Sequence, residues 1–283
     1  MGAGAGQEAG VRPDRLSARF REWRAGGRTA LIPYITAGYP NPQSTAGLLR
    51  ALADAGADII ELGVPFSDPI ADGPTIQRSS QRAIENGVTL EWCLETARAF
   101  RARNDTALVL FTYLNPVLRH GLDRFIDDAN AAGIDGVLLT DLPAGGDVEL
   151  EESVERSGLA LIRLIAPTTT RERALAIARN ARGFLYYIAR MGVTGASATL
   201  RSALADELTA LRSVSDAPIA VGFGISTPAQ VAEVARSADG VVVGSALIDA
   251  LDSAGIEGAA ALVRGLRTGL DAPKTSSTTS SGR

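Results

Sequence analysis

The amino-acid sequence predicts an α/β fold: a single (β/α)8 TIM barrel with an extra N-terminal helix and disordered termini. Eight short apolar runs, rich in β-branched residues, alternate with stretches of helical period, and such alternation is typical of a parallel sheet. The chain has 283 residues, 46% of them hydrophobic, which is enough for one large core. Eight units in this length favour a closed barrel over an open doubly wound sheet, and no GxGxxG motif follows the first strand.

The predicted strands share a length of five to eight residues and a polar turn that follows each of them. They are LIPYIT from Leu31, DIIELG from Asp58, ALVLFTY from Ala107, GVLLTD from Gly136, LALIRLIA from Leu159, FLYYIA from Phe184, IAVGFG from Ile219 and GVVVG from Gly240. Helices separate them, and residues 227–230 (TPAQ) have the pattern of a capping box with proline at the first helical position.

A faint repeat precedes three of these strands: AGAD ends at Asp58, AGID ends at Asp135, and a looser SAD ends at Asp239. A glycine just past a helix end accepts the left-handed backbone that terminates the helix, and the next strand then starts at once. We expect the barrel domain to span residues 13–270, between a disordered arm at residues 1–12 and a disordered Ser/Thr-rich tail at residues 271–283.

Composition excludes several classes of protein. The 28 basic and 32 acidic residues give a net charge of −4, which argues against nucleic-acid and anionic-membrane partners. A single cysteine, Cys93, excludes an intrachain disulfide. No apolar run approaches the roughly 20 residues of a membrane helix, and no signal peptide is apparent. We therefore expect a soluble cytoplasmic protein.

Lysine and histidine are nearly missing. Lys274 is the only lysine and lies in the predicted tail, so a buried Schiff-base lysine or a covalently held pyridoxal phosphate is not expected. His120 is the only histidine, and its place before Gly121 favours a helix end over a metal ligand. Acid–base chemistry is therefore expected from carboxylates, tyrosines and backbone dipoles, with no metal.

Glu61 is the first candidate catalytic residue. Side chains alternate along a strand, so Glu61 shares a face with Ile59, and either face of a barrel strand is shielded from water. A lone buried glutamate is costly unless it is paired or its pKa rises. An ion pair with arginine is the structural alternative, but Glu61 lies at the carboxyl end of its strand, where barrel active sites form.

The loop VPFSDPIADGPT (residues 64–75) follows that strand and carries Asp68 and Asp72. Each aspartate alone is more typical of a turn. Together, Glu61 and Asp72 present two carboxylates to one cavity, where one accepts a proton or hydrogen bond while the other, with a raised pKa, donates.

Glycines at the ends of the last two strands suggest a phosphate site. GFGIS (residues 222–226) and GSA (residues 244–246) bring backbone N–H groups near a ligand, and a helix after Ser245 would add its positive end. The small-residue loop at residues 190–199 is either an ordinary connection or a lid, with Gly195 adding an N–H group. Tyr113 and Tyr186 either pack in the core or line an aromatic pocket.

The segment ELGVPFSDPIADGPTIQ (residues 61–77) closely resembles the signature of the tryptophan synthase alpha subunit family. The likeness extends over roughly residues 31–251 and keeps the family order of motifs. These motifs are PYITAGYP from Pro33, TYLNPV from Thr112, LLTDLP from Leu138, RMGVTGA from Arg190, GFGIS from Gly222 and VVVGSA from Val241.

The resemblance implies a carbon–carbon lyase of L-tryptophan biosynthesis. Its reaction is the retro-aldol cleavage of indole-3-glycerol phosphate to indole and D-glyceraldehyde 3-phosphate. It implies Glu61 as the acid/base, Asp72 as the partner of the indole N–H, and Tyr186 as the tyrosine beside the glutamate. Further matches concern phosphate binding, the lid and the partner surface. They are Gly195, Gly224, Gly244 and Ser245 for phosphate, Thr194 and Arg190 for the lid, and Asp68, Asp141, Pro65 and Pro143 for the active-site loop or partner contact.

The resemblance also implies a beta subunit partner in a heterotetramer of two alpha and two beta chains, with pyridoxal phosphate on the beta subunit only. Three hypotheses stay open: a lyase that passes indole to that partner, a stand-alone lyase, and a barrel that only activates the partner. Retention of Glu61 and Asp72 argues against the third. One departure from the family pattern is Tyr34, which stands where phenylalanine is frequent and would change the polarity of the pocket.

Overall fold

The eight apolar runs form the strands of one parallel barrel in the computed structural model, which describes residues 14–189, 198–222 and 224–272. The described strands share a parallel direction and short length. They are β1 Ala30–Thr36, β2 Ile59–Gly63, β3 Ala107–Thr112, β4 Gly136–Leu139, β5 Ala160–Leu161, β6 Arg163–Ile165, β7 Leu185–Ile188, β8 Ile219–Gly222 and β9 Gly240–Val243.

The fifth run differs from its prediction because it forms two short strands, β5 and β6, on either side of Ile162. The hydrogen-bonded order is β5-β4-β3-β2-β1-β9-β8-β7-β6, in which β5 pairs with β4 and β6 pairs with β7. The Ile162 N–H still donates to Val137 O at 2.9 Å. The broken fifth segment therefore joins the two ends of the sheet, and the predicted (β/α)8 barrel is confirmed.

Most of the helices connect the strands on the outside of the barrel. Those in the described residues are α1 Arg15–Ala25, α2 Pro42–Asp54, α3 Pro74–Glu85, α4 Leu90–Arg101, α5 Leu114–His120, α6 Leu122–Ala131, α7 Val148–Arg156, α8 Arg171–Arg179, α9 Ala198–Arg212, α10 Pro228–Val234 and α11 Ser245–Asp271. The predicted capping box is confirmed, since Thr227 and Gln230 cap α10 reciprocally. Helix α11 is kinked at Ala254 and Gly255. None of the described helices is both long and apolar enough for a membrane span.

The repeated aspartates have a common structural role. Asp58, Asp135 and Asp239 each accept the backbone N–H of the preceding strand in the barrel, from Leu31, Leu108 and Ile219, at 2.8–2.9 Å. Each carboxylate also pairs with two arginines, one that is 27–34 residues away and one that is 120–215 residues away in the chain. These arginines are Arg28 and Arg267 for Asp58, Arg15 and Arg101 for Asp135, and Arg24 and Arg212 for Asp239.

The core has two layers separated by the barrel wall. Ile60 and Leu62 belong to the larger layer between strands and outer helices, whereas Ile59 belongs to the layer inside the barrel. The predicted N-terminal helix α1 closes the amino end of the barrel, where Leu16 and Phe20 join the inner layer. The carboxyl ends of the strands lie at the opposite, open side of the barrel, where active sites of this fold form.

Candidate active site

Glu61 projects into the barrel near the carboxyl end of β2. Its neighbours in strand register are Tyr34 on β1 and Val109 on β3. The predicted alternation is confirmed, because Ile59 lies in the inner layer while Ile60 and Leu62 lie in the outer one. Strand geometry alone therefore directs this carboxyl group into the barrel.

The Glu61 carboxyl group is 0% exposed, and neither oxygen has a hydrogen-bond partner among the described residues. The arginine ion pair considered from the sequence is therefore not found there. Loss of hydration raises the Glu61 pKa from 4.5 to about 8. The group is thus mostly protonated at neutral pH, which makes it a proton donor.

Asp72 lies on the loop between β2 and α3, which side chains of α3 hold in place. Gln77 Nε2 donates to Asp72 O at 2.9 Å. Ser80 Oγ accepts from Phe66 N at 2.9 Å and donates to Phe66 O at 3.1 Å. The loop is therefore fixed at both ends by the helix that it leads into, which limits where Asp72 can sit.

The Asp72 carboxylate itself is held by Tyr113, the residue that follows β3. The Tyr113 hydroxyl donates to Asp72 Oδ2 and accepts from Ala71 N, both at 3.1 Å. Its ring stacks on Phe66, with ring centroids 4.8 Å apart. Burial raises the Asp72 pKa to about 6, and the hydrogen bond from Tyr113 opposes this rise.

The two carboxyl groups therefore differ in charge state at pH 7. With pKa values of about 8 and about 6, Glu61 is mostly protonated and Asp72 is mostly ionised. The difference arises because Glu61 has no polar partner in the described part of the chain, whereas Asp72 is half-exposed and accepts from Tyr113. Both groups act electrostatically on Tyr34 and Tyr186, so an acid and a hydrogen-bond acceptor lie near the same two tyrosines.

Two glycines provide the space for tyrosines beside these carboxyls. A Cβ on Gly63 would lie 2.2 Å from the Tyr34 hydroxyl, and a Cβ on Gly222 would lie 2.8 Å from the Tyr186 hydroxyl. Burial and the charge of Glu61 raise the Tyr186 pKa well above its ordinary value, so its proton is retained. The sequence reasoning missed Gly63, although a glycine at the last inward position of a strand is a detectable signal.

The predicted phosphate side of the barrel lies at β8 and β9. Gly244 caps α11 and Ser245 begins it, so the first N–H groups of its first segment, which ends at the kink at Ala254, face the mouth of the barrel. Gly224 is exposed, and its φ of +62° is a conformation that favours glycine. These residues form an electropositive edge without a charged side chain of their own.

Other predicted site residues occupy different environments. Asp68, Asp141 and Pro143 are exposed on loops after β2 and β4, whereas Pro65 is buried. Asp141 Oδ1 accepts from Leu114 N at 2.7 Å, which joins two of the loops at the mouth. The predicted lid residues Arg190, Thr194 and Gly195 lie outside the described residues.

His120 ends α5, as the sequence predicted, and Gly121 follows with a φ of +92°. Its ring nitrogens contact Glu91 Oε1 at 3.0 Å and Asp128 Oδ2 at 2.8 Å, so it links α4, α5 and α6. Among residues 14–189, 198–222 and 224–272, no group of three His, Cys, Asp or Glu side chains is arranged to hold a metal ion.

Comparison with known proteins agrees with this geometry. The family model described as "Tryptophan synthase alpha chain" matches residues 20–269. A tryptophan synthase alpha chain of Geobacter sulfurreducens is 50% identical over 234 residues, which cover 83% of this chain and 89% of that relative. One from Chloroflexus aggregans is 50% identical over 258 residues, which cover 89% of this chain and 97% of the relative.

Solved structures agree as well. The tryptophan synthase alpha subunit of Legionella pneumophila has a TM-score of 0.83 at 37% identity, and the match covers 92% of this chain and 99% of that one. A chain of Mycobacterium tuberculosis tryptophan synthase has a TM-score of 0.84 at 39% identity, with the same coverage. The chain belongs to the tryptophan synthase alpha chain family and is a lyase of tryptophan biosynthesis that carries out the alpha reaction.

Proposed function

We propose that Glu61 and Asp72 cleave indole-3-glycerol phosphate to indole and D-glyceraldehyde 3-phosphate by acting in opposite protonation states. The observation that carries this proposal is the pair of pKa values, about 8 for Glu61 and about 6 for Asp72, in one barrel mouth. A retro-aldol cleavage of this substrate requires a proton on indole C3 and the removal of one from a glycerol hydroxyl. One carboxyl group can do both in sequence.

In the first step, neutral Glu61 gives its proton to indole C3. The C2–C3 π electrons form the new C–H bond, and the ring nitrogen becomes part of a cationic iminium. Ionised Asp72 accepts a hydrogen bond from the ring N–H and stabilises that positive charge, most strongly in a cleft from which water is excluded.

In the second step, the Glu61 carboxylate takes the proton of the glycerol hydroxyl next to C3. The O–H electrons form the aldehyde carbonyl, the C–C bond breaks, and its electron pair restores the aromatic ring. Glu61 is again neutral, so protons balance over the cycle. The substrate's own ring is the electron sink, so neither step requires an imine with a lysine.

The phosphate group fits the opposite side of the mouth. The first turn of α11, after Gly244 and Ser245, offers N–H donors and the positive end of the helix dipole. Exposed Gly224 supports a close approach of the ligand to the backbone. We further propose, from the family pattern, that Thr194 and Gly195 close over the ligand as a lid, with Gly195 donating to the phosphate.

A beta subunit partner is supported by apolar residues on the mouth side. Ile70, Leu118 and Val148 are large, exposed and apolar, and they lie in the three consecutive segments that follow β2, β3 and β4. Exposed apolar side chains mark a protein interface where they group together on one edge. We propose that the beta subunit covers this edge in an assembly of two alpha and two beta chains, binds the pyridoxal phosphate, and receives indole. A cytoplasmic location stays a prediction.

An assay of the purified chain with indole-3-glycerol phosphate, with and without a beta subunit, tests this function. We expect indole release that a beta subunit increases strongly, and a loss of at least about a hundredfold in Glu61→Gln. Full activity without a partner would instead support the stand-alone lyase. Activation of a beta subunit without any cleavage would support the hypothesis of a barrel that has lost its chemistry.

A further inference from the structure

Tyr34 occupies the inward face of β1, between the two halves of the site. In the barrel, β1 lies between β2, which carries Glu61, and β9, which leads to Gly244. Tyr34 pairs in register with Glu61, and its Cβ lies 3.7 Å from where a Cβ on Gly244 would be. A ligand that extends from the phosphate side to Glu61 must therefore pass Tyr34.

The Tyr34 side chain places a hydroxyl group inside this passage. Tyr34 is only 7% exposed, and its ring packs edge-on against Phe111 with centroids 5.2 Å apart. The hydroxyl lies over Gly63, since a Cβ there would be 2.2 Å away. The ring is therefore fixed by packing, and the hydroxyl has a defined position.

A row of buried hydroxyl groups leads away from Tyr34. The Tyr34 hydroxyl lies 3.4 Å from Thr36 Oγ1, Thr36 Oγ1 lies 2.7 Å from Ser79 Oγ, and Ser79 Oγ donates to Ile76 O at 2.9 Å. Each hydroxyl has one proton. With the Ser79 proton directed to Ile76 O, Thr36 donates to Ser79 and Tyr34 donates to Thr36.

The contact between Tyr34 and Thr36 is the weakest of the row. At 3.4 Å it is longer than the 2.5–3.0 Å usual for hydroxyl hydrogen bonds, while the next contact is short. A buried hydroxyl with one long partner gains free energy when a better acceptor arrives. Burial and the nearby charges of Asp72 and Glu61 raise the Tyr34 pKa, so the proton stays on its oxygen and is available for donation.

We propose that the Tyr34 hydroxyl is a substrate-contacting group that donates a hydrogen bond to a hydroxyl oxygen of the substrate's glycerol chain. This inference rests on the proposed function, which places the phosphate at Gly244 and the reacting carbon at Glu61. The glycerol chain is the part of the substrate that connects those two points, and β1 is the strand between them. A donor there also stabilises negative charge on oxygen while Glu61 removes the hydroxyl proton.

Calorimetric titration of non-cleaving chains tests the contact. The Glu61→Gln chain and the Glu61→Gln/Tyr34→Phe chain are each titrated with indole-3-glycerol phosphate and with 3-(indol-3-yl)propyl phosphate, which lacks the glycerol hydroxyls. We expect Tyr34→Phe to weaken binding of the glycerol ester about fivefold, as for one neutral hydrogen bond, and binding of the propyl ester by less than about twofold. Equal effects on both esters, or none on the glycerol ester, would overturn the contact.

Tyr39→Phe in the Glu61→Gln chain is the matched control, since the Tyr39 hydroxyl donates to Asp252 instead. It should change neither affinity. Thermal unfolding gives a second readout: because the Tyr34 hydroxyl has only a long partner, Tyr34→Phe should leave Tm unchanged or raise it, whereas a lowered Tm would indicate a structural role and overturn the proposal. Failure of the proposed function would give a different result from failure of the Tyr34 contact: the Glu61→Gln chain would bind neither ester. That result would also remove the basis for the Tyr34 contact.

Discussion

The hydroxyl of Tyr113 donates to Asp72 Oδ2 at 3.1 Å, joining the residue after β3 to the loop after β2. Tyr113 also accepts from Ala71 N, so one hydroxyl holds both the carboxylate and its backbone. This hydrogen bond lowers the Asp72 pKa, while burial raises it to about 6. Tyr113 therefore fixes the Asp72 carboxylate and favours its ionised form.

Tyr113→Phe should raise the Asp72 pKa above about 6, because the carboxylate loses a donor while its burial is retained. Less Asp72 is then ionised near pH 6, so cleavage should fall more at pH 6 than at pH 8. The measurement is kcat/KM for indole release as a function of pH. An equal loss at every pH would show that the hydroxyl only supports the loop.

The wild-type pH profile should be bell-shaped. Asp72 must lose its proton, which gives an acidic limb near pH 6, and Glu61 must keep its proton, which gives an alkaline limb near pH 8. The two limbs report apparent pKa values that belong to the interacting pair of carboxyl groups. Measurement of kcat/KM between pH 5 and pH 9.5 checks this, and a flat profile above pH 7 would contradict the acid role of Glu61.

Glu61→Gln should stabilise the fold at alkaline pH. The Glu61 pKa rises from 4.5 to about 8 on folding, so the folded chain holds a proton that the unfolded chain releases between these values. The stabilising contribution of this proton is fully present below about pH 4.5, and it is lost as the pH rises through about 8. Glutamine has no proton to lose, so the gain in unfolding free energy should be much larger at pH 8.5 than at pH 5, on the order of a few kcal/mol.

Denaturant unfolding of both chains at the two pH values measures this gain. Glu95→Gln is the matched control, because Glu95 is exposed on α4 and should show no such difference. A gain that is the same at both pH values would mean that Glu61 keeps its ordinary ionisation in the fold. The expected result would identify Glu61 as a residue that lowers stability for the sake of chemistry.

Asp72→Asn should lower kcat by roughly a hundredfold, because a neutral amide stabilises the cationic ring less than a carboxylate does. Binding of glycerol 3-phosphate should change less than about twofold, since the proposed phosphate site at α11 carries its own donors. Steady-state cleavage and competition by glycerol 3-phosphate check the two parts. A large loss of glycerol 3-phosphate affinity would instead place Asp72 at the phosphate.

Local patterns predicted the elements well but not their tertiary details. The run from Leu159 has the composition of one strand, yet it forms β5 and β6, because its two ends pair with different neighbours. The aspartates of the faint repeat, Asp58 and Asp135, could be recognised at strand starts, but not their arginines. Arg267 reaches Asp58 across 209 residues, and no local pattern encodes such a distance.

The sequence by itself determined the barrel, the inward direction of Glu61 and the loop that carries Asp72, because alternation, capping and turn chemistry depend on near neighbours. The tertiary structure decided which carboxyl keeps its proton. That property depends on solvent exclusion by strands far apart in the chain and on Tyr113, which is 41 residues from Asp72. Ionisation responds to everything packed around a group, and only the closed barrel brings those groups together.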